Sequence, residues 1–374
     1  MGKYSCNGME HKYWLSYICT NGSDTTGFEC YNEYYTSNHT AHIIRKGLGI
    51  WFILIASFGI FGNLYTLLSI PVAARRKQFG FDQNFQTNTI FILHLCFIDF
   101  LNCITYILPH GIIHLQEQWL FPPFGCSFIV IMGMVTVSAD AITLALIAIS
   151  RCLNMIIPQR WENFCGTNSK LGLLLISVWV VSGIQLIPFG FKNYGVEPGW
   201  DCEIGVCGFK TTCMVLDNTT IQKFIGDPEK ICHHSFSEGI TVMSSYVFIV
   251  YGMCIASIST SYLIIFYKSR NSRKEVERSG NKNADLNNRV IKMTWTISIL
   301  IILNITCWLP YQIFNILIFD VFGPNFEHFY YDIVTALYFT QFSLNFFVYV
   351  ARSEQYRKAF VYYGIYLKSK MKFY

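Results

Sequence analysis

Three stretches of this chain run without a single Asp, Glu, Lys or Arg: between Lys46 and Arg75, between Glu238 and Lys268, and between Lys292 and Asp320. Each is longer than the roughly 20 residues an α-helix needs to cross a bilayer. Four further apolar stretches, about 87–110, 123–150, 171–191 and 333–351, hold only Asp99 and Asp140 as charged residues. With 52% hydrophobic and 14% charged residues, there is too little charge for a soluble core of this size. Backbone polar groups in lipid must be satisfied within the segment, which a helix does. The expected fold is an all-α membrane protein: a bundle of seven transmembrane helices with a short amphipathic helix after the last span.

The basic residues orient the bundle. Assigning loops alternately puts Arg75, Arg76, Lys77, Arg151, Arg160, Lys170, the 268–292 run and the tail from Arg352 on one side. The other side carries Lys3, Lys12, Arg45, Lys46, Lys192, Lys210, Lys223 and Lys230, fewer than half as many in longer segments. The side rich in Lys and Arg is cytoplasmic, so the N-terminus is expected outside and the C-terminus inside, in a multi-pass plasma-membrane protein. No apolar core precedes Gly47, so the first span is expected to act as its own insertion signal.

Two signals agree. The glycosylation sequons at Asn21, Asn38 and Asn218 all fall outside. So do Cys6, Cys19, Cys30, Cys126, Cys202, Cys207, Cys213 and Cys232, where disulfides persist. Cys96, Cys103, Cys152, Cys165, Cys254 and Cys307 fall in spans or inside and are expected as free thiols. The domain plan is a glycosylated tail at 1–46, a seven-span body at 47–352, and a cytoplasmic amphipathic helix and tail at 353–374. Residues 192–238, punctuated by Gly195, Pro198, Gly199, Gly205, Gly208 and Pro228, read as a turn-rich loop. After the last span, Tyr356, Phe360, Tyr363 and Leu367 share one face of a helix expected to lie on the inner leaflet. That tail has no cysteine to palmitoylate.

Polar and aromatic residues then recur in an order that resembles the rhodopsin-like (class A) G-protein-coupled receptors over residues 48–367. Gly62-Asn63, Leu95 with Asp99, Trp119 with Cys126, Trp179 with Pro188, Tyr262, Cys307-Trp308-Leu309-Pro310 and Asn345-Phe346-Phe347-Val348-Tyr349 carry the resemblance. Within that family, Leu144–Cys152 and Glu354–Ala359 resemble the Moody and Trapped-in-endoderm group of invertebrate receptors. The resemblance implies a receptor that binds an extracellular ligand and activates a heterotrimeric G protein by rearranging its helices. It implies a ligand cavity lined by Gly133, Met134, Val137, Trp308, Tyr311, Gln312 and Asn315, with Trp308 as its floor. Arg151, Tyr262 and Tyr349 would be the coupling switch. Asn63, Asp99, Asp140, Gln341 and Asn345 would form a midplane ion pocket, whose sodium ion is the only cofactor implied. Cys126 would pair with Cys232, with Cys213 as second choice.

The departures are informative. Ser150-Arg151-Cys152 stands where most of the family has Asp-Arg-Tyr, which leaves Arg151 without a neighbouring carboxylate and expects a weakly latched, constitutively signalling or atypically coupled receptor. Asp140 stands where a small hydroxyl residue is usual, so two carboxylates would share one pocket and favour a cation or a proton. Cys254 and Phe346 replace helix-kinking prolines. Gly133 stands where amine receptors carry an aspartate, which points to a peptide or small organic ligand, and Phe339 stands where opsins carry the retinal lysine, which excludes a photopigment. His110, His114, His233 and His234 are expected as solvated side chains rather than a metal site. A receptor-like protein that binds ligand without activating a G protein is the main alternative. A channel or transporter would want an inverted repeat or broken helices. An enzyme would want a nucleophile or metal ligands on display, and no nucleic-acid partner is expected.

Overall fold

The computed structural model describes residues 39–75, 83–116, 123–165, 167–187, 196–201, 206–211, 246, 249–268, 270–271, 298–299, 302–311, 313 and 324–371. The first helix is His39–Ala74. The second runs from Gln83 to Asn102, opens into a π-helical turn at Cys103–Ile107, and resumes over Leu108–Gln116. The third is Pro123–Ile156, followed by a short helix, Pro158–Cys165, and the fourth, Asn168–Ile184. Ile249–Lys268 belongs to the fifth span and 302–311 to the sixth. The seventh lies in Pro324–Arg352 and is followed by a helix over Glu354–Met371.

Among the described residues, four helices are long and apolar enough to cross a membrane: His42–Ala74, Thr89–Gln116, Phe124–Ile156 and Ile249–Lys268. The pair Pro158–Cys165 and Ser169–Ile184 adds a fifth when counted as one bent span, and Ile333–Val348 is a shorter apolar stretch. The fifth and seventh helices run on through Cys254 and Phe346, as the missing prolines predict. The second carries a π turn, within and just after which Tyr106 and His110 pack against Phe339 of the seventh helix.

Polarity is sorted inside out relative to a soluble protein. Ile50, Leu54, Phe58 and Phe61 of the first helix and Leu173, Ile176 and Val180 of the fourth point outward, where lipid is the solvent. Asn63, Thr66, Asp99, Asn102, Thr136 and Thr143 are each fully buried. Polar side chains placed this way find partners across helices. The first helix packs against the second and seventh, and the close approach needs glycine. A Cβ on Gly59 would sit 2.4 Å from the Cys103 sulfur, and one on Gly62 would sit 2.6 Å from the Phe346 ring.

Three expectations need correction. Arg45 was placed in the segment ahead of the first span, but the helix starts earlier and buries it. His110 and His114 are buried rather than solvated. Each Nδ1 lies 2.7 and 2.8 Å from the carbonyl four residues back, of Tyr106 and His110, so the proton sits on Nδ1. His233 and His234 lie outside the described residues. The turn-rich reading of 192–238 missed an antiparallel hairpin, Val196–Asp201 with Val206–Thr211, in register from Val196↔Thr211 to Asp201↔Val206. It packs on the third helix, and Gly199 and Gly208 face each other across the ladder. Glycines in a strand signal turns to a sequence reader, yet a short ladder tolerates them.

The helix Glu354–Met371 is also placed differently. Tyr356, Phe360 and Tyr363 are buried against the bundle rather than turned to lipid, and the outward stripe is Val361, Ile365, Leu367 and Met371. The Tyr65 hydroxyl donates to the Phe360 carbonyl at 2.9 Å, and its ring meets Phe360 and Tyr363.

Filling the Gly62 contact tests this packing. Gly62→Val forces Phe346 aside and is expected to cost about 1–3 kcal/mol, the usual range for overpacking, read as a lower midpoint in thermal unfolding of the purified protein.

Candidate functional site

A column of polar residues runs through the bundle. At its centre the Asn345 amide donates to Asp99 Oδ2 at 2.6 Å, and the Asn63 amide donates to the Phe342 carbonyl at 2.9 Å, which ties the first, second and seventh helices together. Asp140 faces this cluster from the third helix, and its charge and that of Asp99 act on each other. Asn63, Asp99, Asp140, Gln341 and Asn345 are all 4% exposed or less. The arrangement leaves five buried oxygens with no hydrogen-bond donor: Asn63 Oδ1, Asp99 Oδ1, Asp140 Oδ1, Gln341 Oε1 and Asn345 Oδ1. A set of buried acceptors without donors is costly unless a cation, a proton or water satisfies it.

Asp140 and Gln341 also line a cavity of about 50 Å³, walled by Val137, Tyr251, Asn304 and Trp308. That is room for a few waters or a small ion, not for an organic molecule. Above it, Trp308 stacks on Tyr251 with centroids 4.7 Å apart and planes at 14°. Ser138, two residues from Asp140, lies near the Tyr251 hydroxyl. Tyr251 was not singled out from the sequence, because an aromatic in an apolar span carries no signal until its neighbours are known.

The expected ligand set divides. Val137 and Trp308 share the cavity wall. Tyr311 stacks on Tyr338 at 4.7 Å. Met134 packs with Ile113, Cys126, Ile129 and Val130. Gly133 faces the Tyr106 ring, which a Cβ would approach to 2.7 Å, so it makes space for an aromatic rather than lining an opening. Gln312 and Asn315 lie outside the described residues.

Two interhelical locks escaped the sequence reading. The Trp179 indole donates to His94 Nε2 at 3.0 Å, so His94 carries its proton on Nδ1, 3.1 Å from the Thr143 hydroxyl. The Gln185 amide lies 2.8 Å from the Met134 carbonyl and 2.9 Å from the Ser138 hydroxyl. The proximity of His94 to Leu95 and Asp99 in the sequence was its only available signal.

At the opposite end from Cys126, Arg151 lies within electrostatic reach of the Tyr356 and Tyr262 phenols. Ser150 is fully buried beside it. Tyr262 interacts with Ser298 of the sixth helix. Burial raises the Tyr356 phenol above its usual range, with the Arg151 charge pulling the other way. Tyr349 lies in the seventh helix, and its side chain is outside the described residues. The six cysteines expected as free thiols are free, and all are buried. Cys126 is disulfide-bonded. Cys232, Cys213, Asn21, Asn38 and Asn218 lie outside the described residues.

With this geometry in place, the relatives are informative. The family described as "7 transmembrane receptor (rhodopsin family)" matches residues 78–349. Neuropeptide Y receptor type 6 of Mus musculus is 27% identical over 290 residues, which cover 76% of this chain and 70% of that protein. The same receptor type of Oryctolagus cuniculus is 24% identical over 309 residues, covering 81% and 75%. Galanin receptor 2b of Danio rerio is 27% identical over 178 residues, covering 46% and 44%. The crystal structure of squid rhodopsin superposes with a TM-score of 0.56 at 17% identity, covering 87% of each chain, a likeness of fold. The family's sequence pattern covers well over half of the chain and its fold is the one described above: this protein belongs to the rhodopsin family of seven-transmembrane, G-protein-coupled receptors.

Proposed function

We propose that this receptor lies in the plasma membrane with its N-terminus outside, binds a peptide or small organic ligand between its helices beneath the 192–238 segment, and passes the signal to a heterotrimeric G protein at the Arg151 end. The observation that carries the reading is the polar column itself. Trp308, Tyr251, Asp140, Asp99, Asn345 and Arg151 lie on five different helices, so a ligand that tilts Trp308 repacks all of them. Ligand then shifts a population between two packings. Two relatives are named as neuropeptide Y receptors, which supports a peptide over an amine, as does Gly133 packed beneath Tyr106. Phe339 is buried against Phe52, Tyr106 and His110 and offers no amine for a retinal chromophore. This reading gives the chain no catalytic role.

The midplane pocket is proposed to hold a sodium ion. The residues present fit one: two carboxylates and three amide oxygens, five acceptors without donors. A cation there would neutralise the paired carboxylates and favour the packing in which these oxygens approach it. This chain's own part is to supply the oxygens and to fix Asp99 through Asn345. In a thermal-shift series on purified receptor, sodium in place of choline is expected to raise the unfolding midpoint; occupancy at ten times Kd corresponds to about 1.4 kcal/mol. Asp140→Asn should flatten the dependence, and an identical response in wild type and variant would remove the ion from the account.

A second reading is favoured by Ser150-Arg151-Cys152: a protein that binds ligand without activating a G protein. Ligand-free signalling in transfected cells, read with a panel of heterotrimer-dissociation reporters, separates the two. A basal signal from wild type that Arg151→Ala abolishes at matched surface expression is the expected outcome. Silence across the whole panel that persists under a ligand shown to bind would favour the non-coupling reading.

A further inference from the structure

Asp99 and Asp140 stand on adjacent helices, the second and the third, and both are buried. Like charges that close favour separation. Two hydrogen bonds between the same two helices oppose it, one on each side of the pair. Three residues after Asp99, Asn102 Oδ1 accepts from the Thr136 hydroxyl at 2.6 Å. Thr136 lies four residues before Asp140 and shares its proton with the Met132 carbonyl, also at 2.6 Å. Five residues before Asp99, His94 Nδ1 lies 3.1 Å from the hydroxyl of Thr143, three residues after Asp140.

The spacings on the two helices match. His94 and Asn102 are eight residues apart on the second helix, and Thr136 and Thr143 are seven apart on the third. The corresponding rises are about 12 and about 10.5 Å. Antiparallel helices tied at both points keep the segments between the ties side by side, and the carboxylates belong to those segments. The second helix is regular throughout this stretch, since its π turn begins only at Cys103.

Each donor in the lower tie has a fixed acceptor. The Trp179 indole of the fourth helix donates to His94 Nε2 at 3.0 Å, which leaves the His94 proton on Nδ1, directed at Thr143. The Thr143 hydroxyl accepts that proton and donates its own to the Ala139 carbonyl at 2.6 Å. Asn102, Thr136 and Thr143 are fully buried. Ile98, Ala139 and Val178, the residues just before Asp99, Asp140 and Trp179, pack behind them as one apolar cluster.

We propose that the Asn102–Thr136 and His94–Thr143 bonds form a bracket that holds Asp99 and Asp140 together and so sets the cation affinity of the midplane pocket. The inference rests on the cation reading of that pocket given above. All four are positioning residues, acting through the spacing of the carboxylates and not by contact with the ion. The bracket explains how the second and third helices stay together with a carboxylate on each. Through Trp179 it also gives the fourth helix a hold on the pocket.

The test follows thermal unfolding of purified full-length receptor in sodium titrations against choline. Wild type is compared with Thr136→Val, Thr143→Val and the same two variants carrying Asp140→Asn. Valine keeps the branched shape and removes the hydroxyl, and either variant suffices where the other does not fold. Thr143→Ser keeps the hydroxyl, and Tyr65→Phe removes a hydrogen bond at the cytoplasmic end as a control for general loosening. Each valine is expected to raise the sodium concentration at half-maximal shift by on the order of tenfold, about the effect of one hydrogen bond. Thr143→Ser and Tyr65→Phe should keep the wild-type concentration. In choline the valines should lower the unfolding midpoint less in wild type than in Asp140→Asn, because loosening the bracket relieves the repulsion; in saturating sodium that order should reverse. A wild type without a sodium response would overturn the cation reading, and the choline comparison then decides alone whether the bracket holds the carboxylates. An unchanged half-maximal concentration in the valine variants of a sodium-responsive receptor, an equal change in Tyr65→Phe, or valine effects that simply add to Asp140→Asn in choline would each overturn the proposal.

Discussion

The interior of this bundle has no water to spare for its polar side chains, and most of its architecture follows from that. A polar group placed between helices costs free energy unless another helix supplies its partner. The Asn345–Asp99 bond, the Asn63 bond to the seventh helix, the His94–Trp179 lock and the Gln185 clamp on the third helix are all solutions to that requirement. Each joins segments far apart in the sequence, so satisfying the side chains also specifies which helices are neighbours.

The midplane is where the requirement is left incomplete. Five buried acceptor oxygens on the first, second, third and seventh helices lack a donor, two of them on carboxylates whose charges oppose each other. Such a cluster is stable only with something added, whether ion, proton or water. That makes it a natural place for two packings of similar free energy, since what occupies it can favour one over the other. The stacked pair of Trp308 and Tyr251 walls the same cavity as Asp140 and Gln341.

Tight helix contact governs how motion can pass through the rest. Gly59 and Gly62 bring the first helix against Cys103 and Phe346 with no room for a side chain. The first helix is thereby coupled to the seventh and, through Tyr65, to the helix beyond it. Close-packed interfaces of this kind do not deform smoothly but shift between discrete arrangements. The π turn in the second helix serves the opposite purpose, with Tyr106 in it and His110 after it filling space beside Gly133 and Phe339.

Much of this was legible from residues alone, for a physical reason. Lipid imposes a one-dimensional rule, so charge-free runs mark the spans, lysine and arginine excess predicts their orientation, and an acid inside a span such as Asp99 or Asp140 announces a site. Free and disulfide-bonded cysteines also sorted correctly where the structure describes them. What sequence could not settle was direction around each helix and the identity of partners. Tyr356 and Phe360 share a face in any helical reading, but only packing decides that the face meets Tyr65 and the bundle core instead of lipid. His110 and His114 read as loop-end histidines, yet the helix Leu108–Gln116 buries them, and the 196–211 hairpin was hidden by glycines that also make turns. Membrane insertion depends on composition along the chain, which the sequence by itself determines. Recognition between helices depends on rotation, register and close approach in three dimensions, so the partners of Arg151, Asp140 and Trp308 were decided by the tertiary structure.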